Sequence, residues 1–129
     1  MRQQDLVELV IRFTDSFNSD RPDALDTMLA FFAENAIYDQ FDGKRREGRA
    51  QIRTAFEPQF NGVFGKVRFK TEDVFADADA GKAVVRWHCA ITKGTKTSGF
   101  RGLDVLQVSG GKITHKFTYA KTDTPLEQA

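Results

Sequence analysis

Histidine is the side chain best suited to moving protons near neutral pH. The chain holds two, His88 and His115. His88 lies in "AVVRWHCAI" (83–91), two positions after Arg86, a spacing that puts both on one face of a strand. Farther on, "FRGLDVLQV" sets Asp104 among apolar residues. If the "KGTKTSG" turn (93–99) closes near its centre, residue 86 or 88 falls opposite 104. Asp104 is then a cross-strand partner of Arg86 or His88. Under an apolar roof of Phe13, Phe17 and Phe56 such a cluster suits acid–base chemistry. His88 would be the base, Asp104 would orient it or donate to a developing oxyanion, and Arg86 would bind an enolate or neutralise Asp104. On an open sheet face the same three residues are simply solvated, with little energetic consequence.

Other chemistry finds less support. The sequence has no phosphate-cradling glycine loop of either common type. His88 and His115 with Cys89 have no metal-ligand spacing, and His88 and Cys89, adjacent in a strand, face opposite ways, so no metal site is expected. The basic stretch "GKRREGR" (43–49) is interrupted by Glu47, lacks interleaved aromatics and reads as a solvated loop. Nineteen basic against 18 acidic residues give a net charge of +1, which offers no field to gather nucleic acid or anionic lipid. A lone cysteine implies no intrachain disulfide, and no apolar run has the length of a membrane span. A cytoplasmic protein is the expectation. Twelve phenylalanines against two tyrosines and one tryptophan suit a greasy interior, and a greasy pocket within it.

The elements that must position these residues follow from periodicity. Leu6, Leu9, Val10, Phe13 and Phe17 form one helical stripe; Leu25, Met28, Leu29 and Phe32 form a second. "NSDRPD" separates them, with Asp20 as an N-cap and Pro22 in the following first turn. A short strand from Ala36 to Phe41 carries Tyr38 and Gln40 on one face and ends at Asp42-Gly43. A third helix follows Gly48, buries Ile52, Ala55 and Phe56, and stops at Pro58. From Val67 the period becomes two, and four strands follow as a meander through "DADAG", "KGTKTSG" and Gly110-Gly111. The last runs from Lys112 to Thr122 and a tail follows. The order predicts a single α+β domain over 1–129, helices packed on one face of an antiparallel sheet.

The long strands carry two sets of alternating residues. One joins Val85, Trp87, Cys89 and Ile91 to Leu103, Val105, Phe117 and Tyr119 and is almost wholly apolar. The other joins Val84, Arg86, His88 and Ala90 to Gly102, Asp104, Leu106, Val108, Lys116 and Thr118 and is mixed. Either the Trp87 face meets the helices and the charges are solvated, or the mixed face curls around a pocket. In the second case the apolar face needs another cover, most simply a second copy of the chain. Periodicity leaves the two open.

Two segments carry a family resemblance. "ALDTMLAFFAENAIYDQFDGKRREGRAQIRTAF" resembles the second helix, first strand and third helix of the nuclear transport factor 2-like superfamily, and "FRGLDVLQVSGGKITHKFTYAK" resembles its final hairpin. The resemblance spans roughly residues 5–122 and implies a cone: a curved antiparallel sheet packed against three N-terminal helices around an apolar pocket. It favours the second arrangement, with a homodimer formed through the face bearing Val85, Trp87, Phe117 and Tyr119. Ketosteroid isomerase, SnoaL-like polyketide cyclases, limonene epoxide hydrolase and non-enzymatic binders share this fold. Asp104 is similar in position to the oxyanion-hole aspartic acid of ketosteroid isomerase. Gln40 stands in place of that enzyme's base, Phe13 in place of its tyrosine, and Phe56 in place of a supporting tyrosine. Arg86-Trp87-His88 stands where limonene epoxide hydrolase has Arg-x-Asp, with Thr118 near its second aspartate. The implied function is a pocket for a small, largely apolar organic molecule, bordered by Phe13, Phe17, Tyr38, Gln40, Phe56, Leu106 and Thr118. With it goes cofactor-free isomerase, cyclase or hydrolase chemistry by His88, Asp104 and Arg86. The alternative is a non-catalytic binding or dimerisation module.

Overall fold

The computed structural model describes residues 1–121, so the end of the last expected strand at Thr122 and the tail lie outside the described residues. Helix α1 (Gln3–Ser16) buries Leu6, Leu9, Val10 and Phe13 along its expected stripe. Helix α2 (Ala24–Leu29) buries Met28 and Leu29. Helix α3 (Arg49–Phe60) buries Ile52 and Phe56 and carries Pro58 inside its last turn instead of ending there. The helix continues because Asn61 N–H still reaches the Glu57 carbonyl at 2.9 Å beyond the proline. The phenylalanines interlock edge to face: Phe13 meets Phe17, Phe31 and Phe32 at centroid distances of 5.2, 5.6 and 5.4 Å.

Among the described residues six strands form one open sheet: β1 (Phe32–Asp39), β2 (Arg45–Glu47), β3 (Lys66–Asp77), β4 (Lys82–Lys93), β5 (Lys96–Ser109) and β6 (Lys112–Ala120), in the order β2-β1-β6-β5-β4-β3. The architecture is the expected α+β one, with a difference in the sheet, which is mixed. β1 runs parallel to β6 and the other pairs are antiparallel. More than half of the chain, residues 40–111, separates β1 from β6, so no hairpin dictates their relative direction. β1 starts earlier than expected because Phe32 already pairs with Ile113. The stretch expected as a loop includes β2, folded back on β1 by a turn in which Gly43 N–H reaches the Gln40 carbonyl at 3.0 Å.

Register decides which side chains share a face, and here one expectation is corrected. The β4–β5 turn is tighter than the centre of "KGTKTSG" would give. Lys93 pairs with Lys96 around Gly94-Thr95, and Gly94 takes φ 63. The ladder then sets Val85 opposite Asp104, Trp87 opposite Gly102, and His88 opposite Arg101. A one-residue shift in register moves every side chain to the other face. Asp104 therefore joins Val85, Trp87 and Cys89, and Arg86 and His88 lie on the reverse of the sheet. Between β5 and β6 a bulge at Gln107/Val108 sets Asp104 opposite Thr118 and Leu106 opposite Lys116. The helix-covered face thus reads Val85, Trp87, Cys89, Asp104, Leu106, Lys116 and Thr118, a combination of both expected sets.

Gly102 makes room for this packing. A Cβ there would strike the Trp87 ring and sit 2.6 Å from the Tyr119 carbonyl. Cys89 is buried beside Trp87, and burial pushes its thiol pKa up to about 11.

Candidate functional site

Four neighbouring positions across β4, β5 and β6 build the polar centre. The Asp104 carboxylate accepts from Lys116 Nζ at 2.9 Å and from Thr118 Oγ1 at 2.6 Å on one oxygen. Trp87 Nε1 donates to the other at 3.2 Å. Lys116 Nζ also donates to Thr118 Oγ1 at 2.6 Å. Asp104 and Lys116 are each only 4% exposed, so this is a buried ion pair supported by neutral donors.

Aromatic rings close around it. Tyr38 and Phe56 stack at 5.0 Å and 11°, and the Lys116 ammonium stands 4.4 Å from the Tyr38 ring centroid and 5.7 Å from that of Phe56. Burial pulls the Lys116 pKa down, but the Asp104 charge, with Tyr38 beside it, outweighs burial and holds the pKa above the ordinary 10.5. Lys116 is therefore a permanent cation. Of its three N–H groups one donates to Asp104, one to Thr118, and the third is turned toward Tyr38.

The cluster borders a cavity of about 100 Å³ also lined by Phe17, Phe41, Phe69, Trp87 and Phe100. Two wider hollows adjoin it. One, of about 460 Å³, lies between the end of α3 and the start of β3 and shares Phe17 and Gln59 with the cavity. The other, of about 360 Å³, lies by the β1–β2 turn and shares Phe41 and Thr118. Phe41 is 49% exposed, so its ring stands between the inner cavity and solvent.

The expected site residues divide accordingly. Asp104, Thr118, Phe17, Tyr38 and Phe56 line the cavity. Phe13 and Leu106 are fully buried and are core residues, not lining ones. Gln40 lines the hollow by the β1–β2 turn and accepts from Arg46 Nε at 2.8 Å. Arg86 and His88 are not brought to Asp104: Arg86 pairs with Asp73 at 2.5 Å on the outer face, and the His88 ring lies over Gly99. Lys116 is what the sequence reading missed. A lysine is by type a solvent-reaching side chain, yet it shares the mixed set with Asp104 and Thr118, and that is the available signal.

The expected contact surface is also divided. Val85 and Trp87 are interior, whereas Phe117 and Tyr119 lie on the outer face. With Phe75 (62% exposed) and Tyr119 (58%), this outer face carries the half-buried Val84, Leu103 and Val105. Among the described residues no helix covers it.

Among the described residues no helix is long and apolar enough to cross a membrane, and no three His, Cys, Asp or Glu side chains gather as metal ligands.

Comparison with known proteins places the fold. The sequence model of the SnoaL-like domain matches residues 10–116. No protein of curated function matches the chain. Several solved structures superpose over most of its length. SalBIII, an epoxide hydrolase/cyclase-like enzyme in pyran ring formation in the polyether salinomycin, is 22% identical over 92% of each chain, with a TM-score of 0.78. AusH from Aspergillus nidulans is 15% identical, covering 95% of this chain and 88% of its own, at 0.80. An NTF2-like protein of unknown function from Mesorhizobium loti is 21% identical over 95% of each, at 0.75.

Proposed function

The chain belongs to the SnoaL-like domain family, and on that premise we propose that it binds a small, largely apolar molecule bearing a carbonyl group and promotes its enolisation without a cofactor. The observation that carries this reading is the buried Lys116–Asp104 pair at the wall of an otherwise aromatic cavity. A low-dielectric site makes a fixed cation a strong stabiliser of a developing oxyanion. In the proposed step the Lys116 N–H turned toward Tyr38 is given over to the carbonyl oxygen. The Asp104 oxygen held by Trp87 takes the α-proton, leaving a neutral acid and an enolate paired with the ammonium. Return of the proton to the same or a neighbouring carbon completes an exchange or an isomerisation. The cavity of about 100 Å³ admits a single ring at most, and a larger molecule requires Phe41 to swing outward.

A second reading rests on a specific observation: Asp104 already accepts three hydrogen bonds, which weakens it as a base. The cavity would then bind its ligand without turnover. Phenylacetone in D2O separates the two. Enolisation predicts α-proton exchange, followed by NMR, at least about tenfold above buffer, reduced in Thr118→Val and unchanged in His88→Ala. Quenching of Trp87 fluorescence with no exchange above buffer leaves the binding reading and ends the catalytic one.

The outer sheet face supports a homodimer in the same reading, through Phe75, Leu103, Val105, Phe117 and Tyr119. Sedimentation equilibrium is expected to give twice the chain mass, and the combined Phe75→Glu and Tyr119→Arg substitutions to return the single-chain mass. An unaltered dimer in that variant would place the contact elsewhere.

A further inference from the structure

The hollow of about 460 Å³ at the end of α3 differs in character from the inner cavity it adjoins. Its walls include Lys66 and Arg68 from β3, Asp20 from the α1–α2 connection, and Gln59 and Phe60 from α3. Phe17 and Gln59 belong to both spaces, so one molecule could run from the aromatic cavity past these two residues into the hollow. The Gln59 amide nitrogen is buried at that junction and has no hydrogen-bond partner among the described residues, a donor left unanswered. Lys66 makes no ion pair among the described residues, and Arg68 is held by Asp20, at 2.5 Å, through a carboxylate that is 80% exposed. A surface pair of that kind exchanges readily for another anion. Two cations against one carboxylate leave one positive charge, which matches a monoanion.

We propose that this hollow seats the carboxylate tail of the same ligand whose apolar, carbonyl-bearing part enters the inner cavity, so that the substrate class is an amphiphilic organic acid. Lys66 and Arg68 receive the carboxylate, and Gln59 Nε2 donates to an oxygen along the connecting segment. The proposal rests on the ligand-binding reading of the inner cavity given above, and its test is built to fail separately from that reading.

Trp87 is the single tryptophan and lines the inner cavity, so its fluorescence reports occupancy there. The probes are 4-phenylbutyrate and its neutral amide, 4-phenylbutanamide, which share the ring and differ in charge at the tail. The wild type is expected to bind the acid at least about fivefold more tightly than the amide, as charge-assisted hydrogen bonds require. Lys66→Gln should reduce that ratio, and Lys66→Gln with Arg68→Gln should bring it close to one without weakening amide binding. Lys82→Gln, at the opposite end of the β3–β4 ladder, should leave it alone. Equal affinities in the wild type, with both probes quenching Trp87, overturn the anion seat and leave the inner cavity intact. A preference that survives the double substitution puts the anion at Lys116 and overturns the proposal too. If neither probe quenches Trp87, the inner-cavity reading fails and the anion seat fails with it.

Discussion

Lys116→Met is expected to destabilise the protein by about 3–5 kcal/mol, because it leaves the Asp104 carboxylate buried without its counter-charge. Thr118 and Trp87 would still donate to that carboxylate, yet neutral donors do not replace an ammonium at 2.9 Å in a site where both side chains are almost fully enclosed. Urea unfolding of the two proteins measures the difference through the shift in midpoint. Adding Asp104→Leu should recover part of the loss by removing the stranded charge. Recovery stays incomplete because Trp87 Nε1 and Thr118 Oγ1 then lack their acceptor. The pH dependence has a definite sign. The folded state holds the Lys116 pKa above 10.5, so the contribution is fully present below that value and is lost as pH rises through the higher folded-state value. The gap between wild type and Lys116→Met should therefore stay level from about pH 7 to 10 and narrow only in stronger alkali. An unchanged urea midpoint for Lys116→Met would mean that water reaches the pair and that the site is not enclosed.

Phe13→Ala is expected to cost a similar amount, about 3–5 kcal/mol, through the cavity it leaves. Phe13 is 0% exposed and forms the hub of three edge-to-face contacts, with Phe17, Phe31 and Phe32. Those partners are the residue that caps the end of α1, the residue before β1 and the first residue of β1, so collapse around the void would have to move a helix against a sheet. Thermal or urea unfolding measures the loss. Phe13→Leu, which keeps most of the volume, should lose roughly a third as much. The same packing implies that a tyrosine at this position would add nothing to the cavity. A hydroxyl on this ring would be buried among phenylalanines, away from the cavity lining, as an unpaired polar group. A destabilisation below about 1 kcal/mol for Phe13→Ala would show that the hub is looser than its contacts imply.

The helices and long strands were legible because each carries its own period. The stripe from Leu6 to Phe17 and the alternation from Val67 onward need no partner to be read. Faces within one strand were legible too, as was the union of Asp104, Leu106, Lys116 and Thr118 on one side of β5 and β6. The match of β4 to β5 was not. It depends on where a polar turn closes, and a one-residue slip in register separates an Asp104 that meets Arg86 from one that meets Val85. The burial of Lys116 was hidden for a related reason. A lysine is costly to bury until its counter-ion is known, and the counter-ion is known only once the register is. β2 escaped notice because Arg45, Arg46 and Glu47 look solvated, which two of them are. A three-residue edge strand leaves almost no compositional trace.

β6, the last strand among the described residues, occupies an interior place in the sheet, between β1 and β5. Tyr38 and Lys116, which meet in the parallel ladder, lie roughly 80 residues apart along the chain. During synthesis β1 and β2 must therefore wait, on the order of 10 s at ordinary elongation rates, for the strand that joins them to β3, β4 and β5. A chain cut short before Lys112 would not lose an edge. It would be left as two pieces of sheet with bare, hydrogen-bonding flanks, the kind of surface on which nascent chains cross-associate.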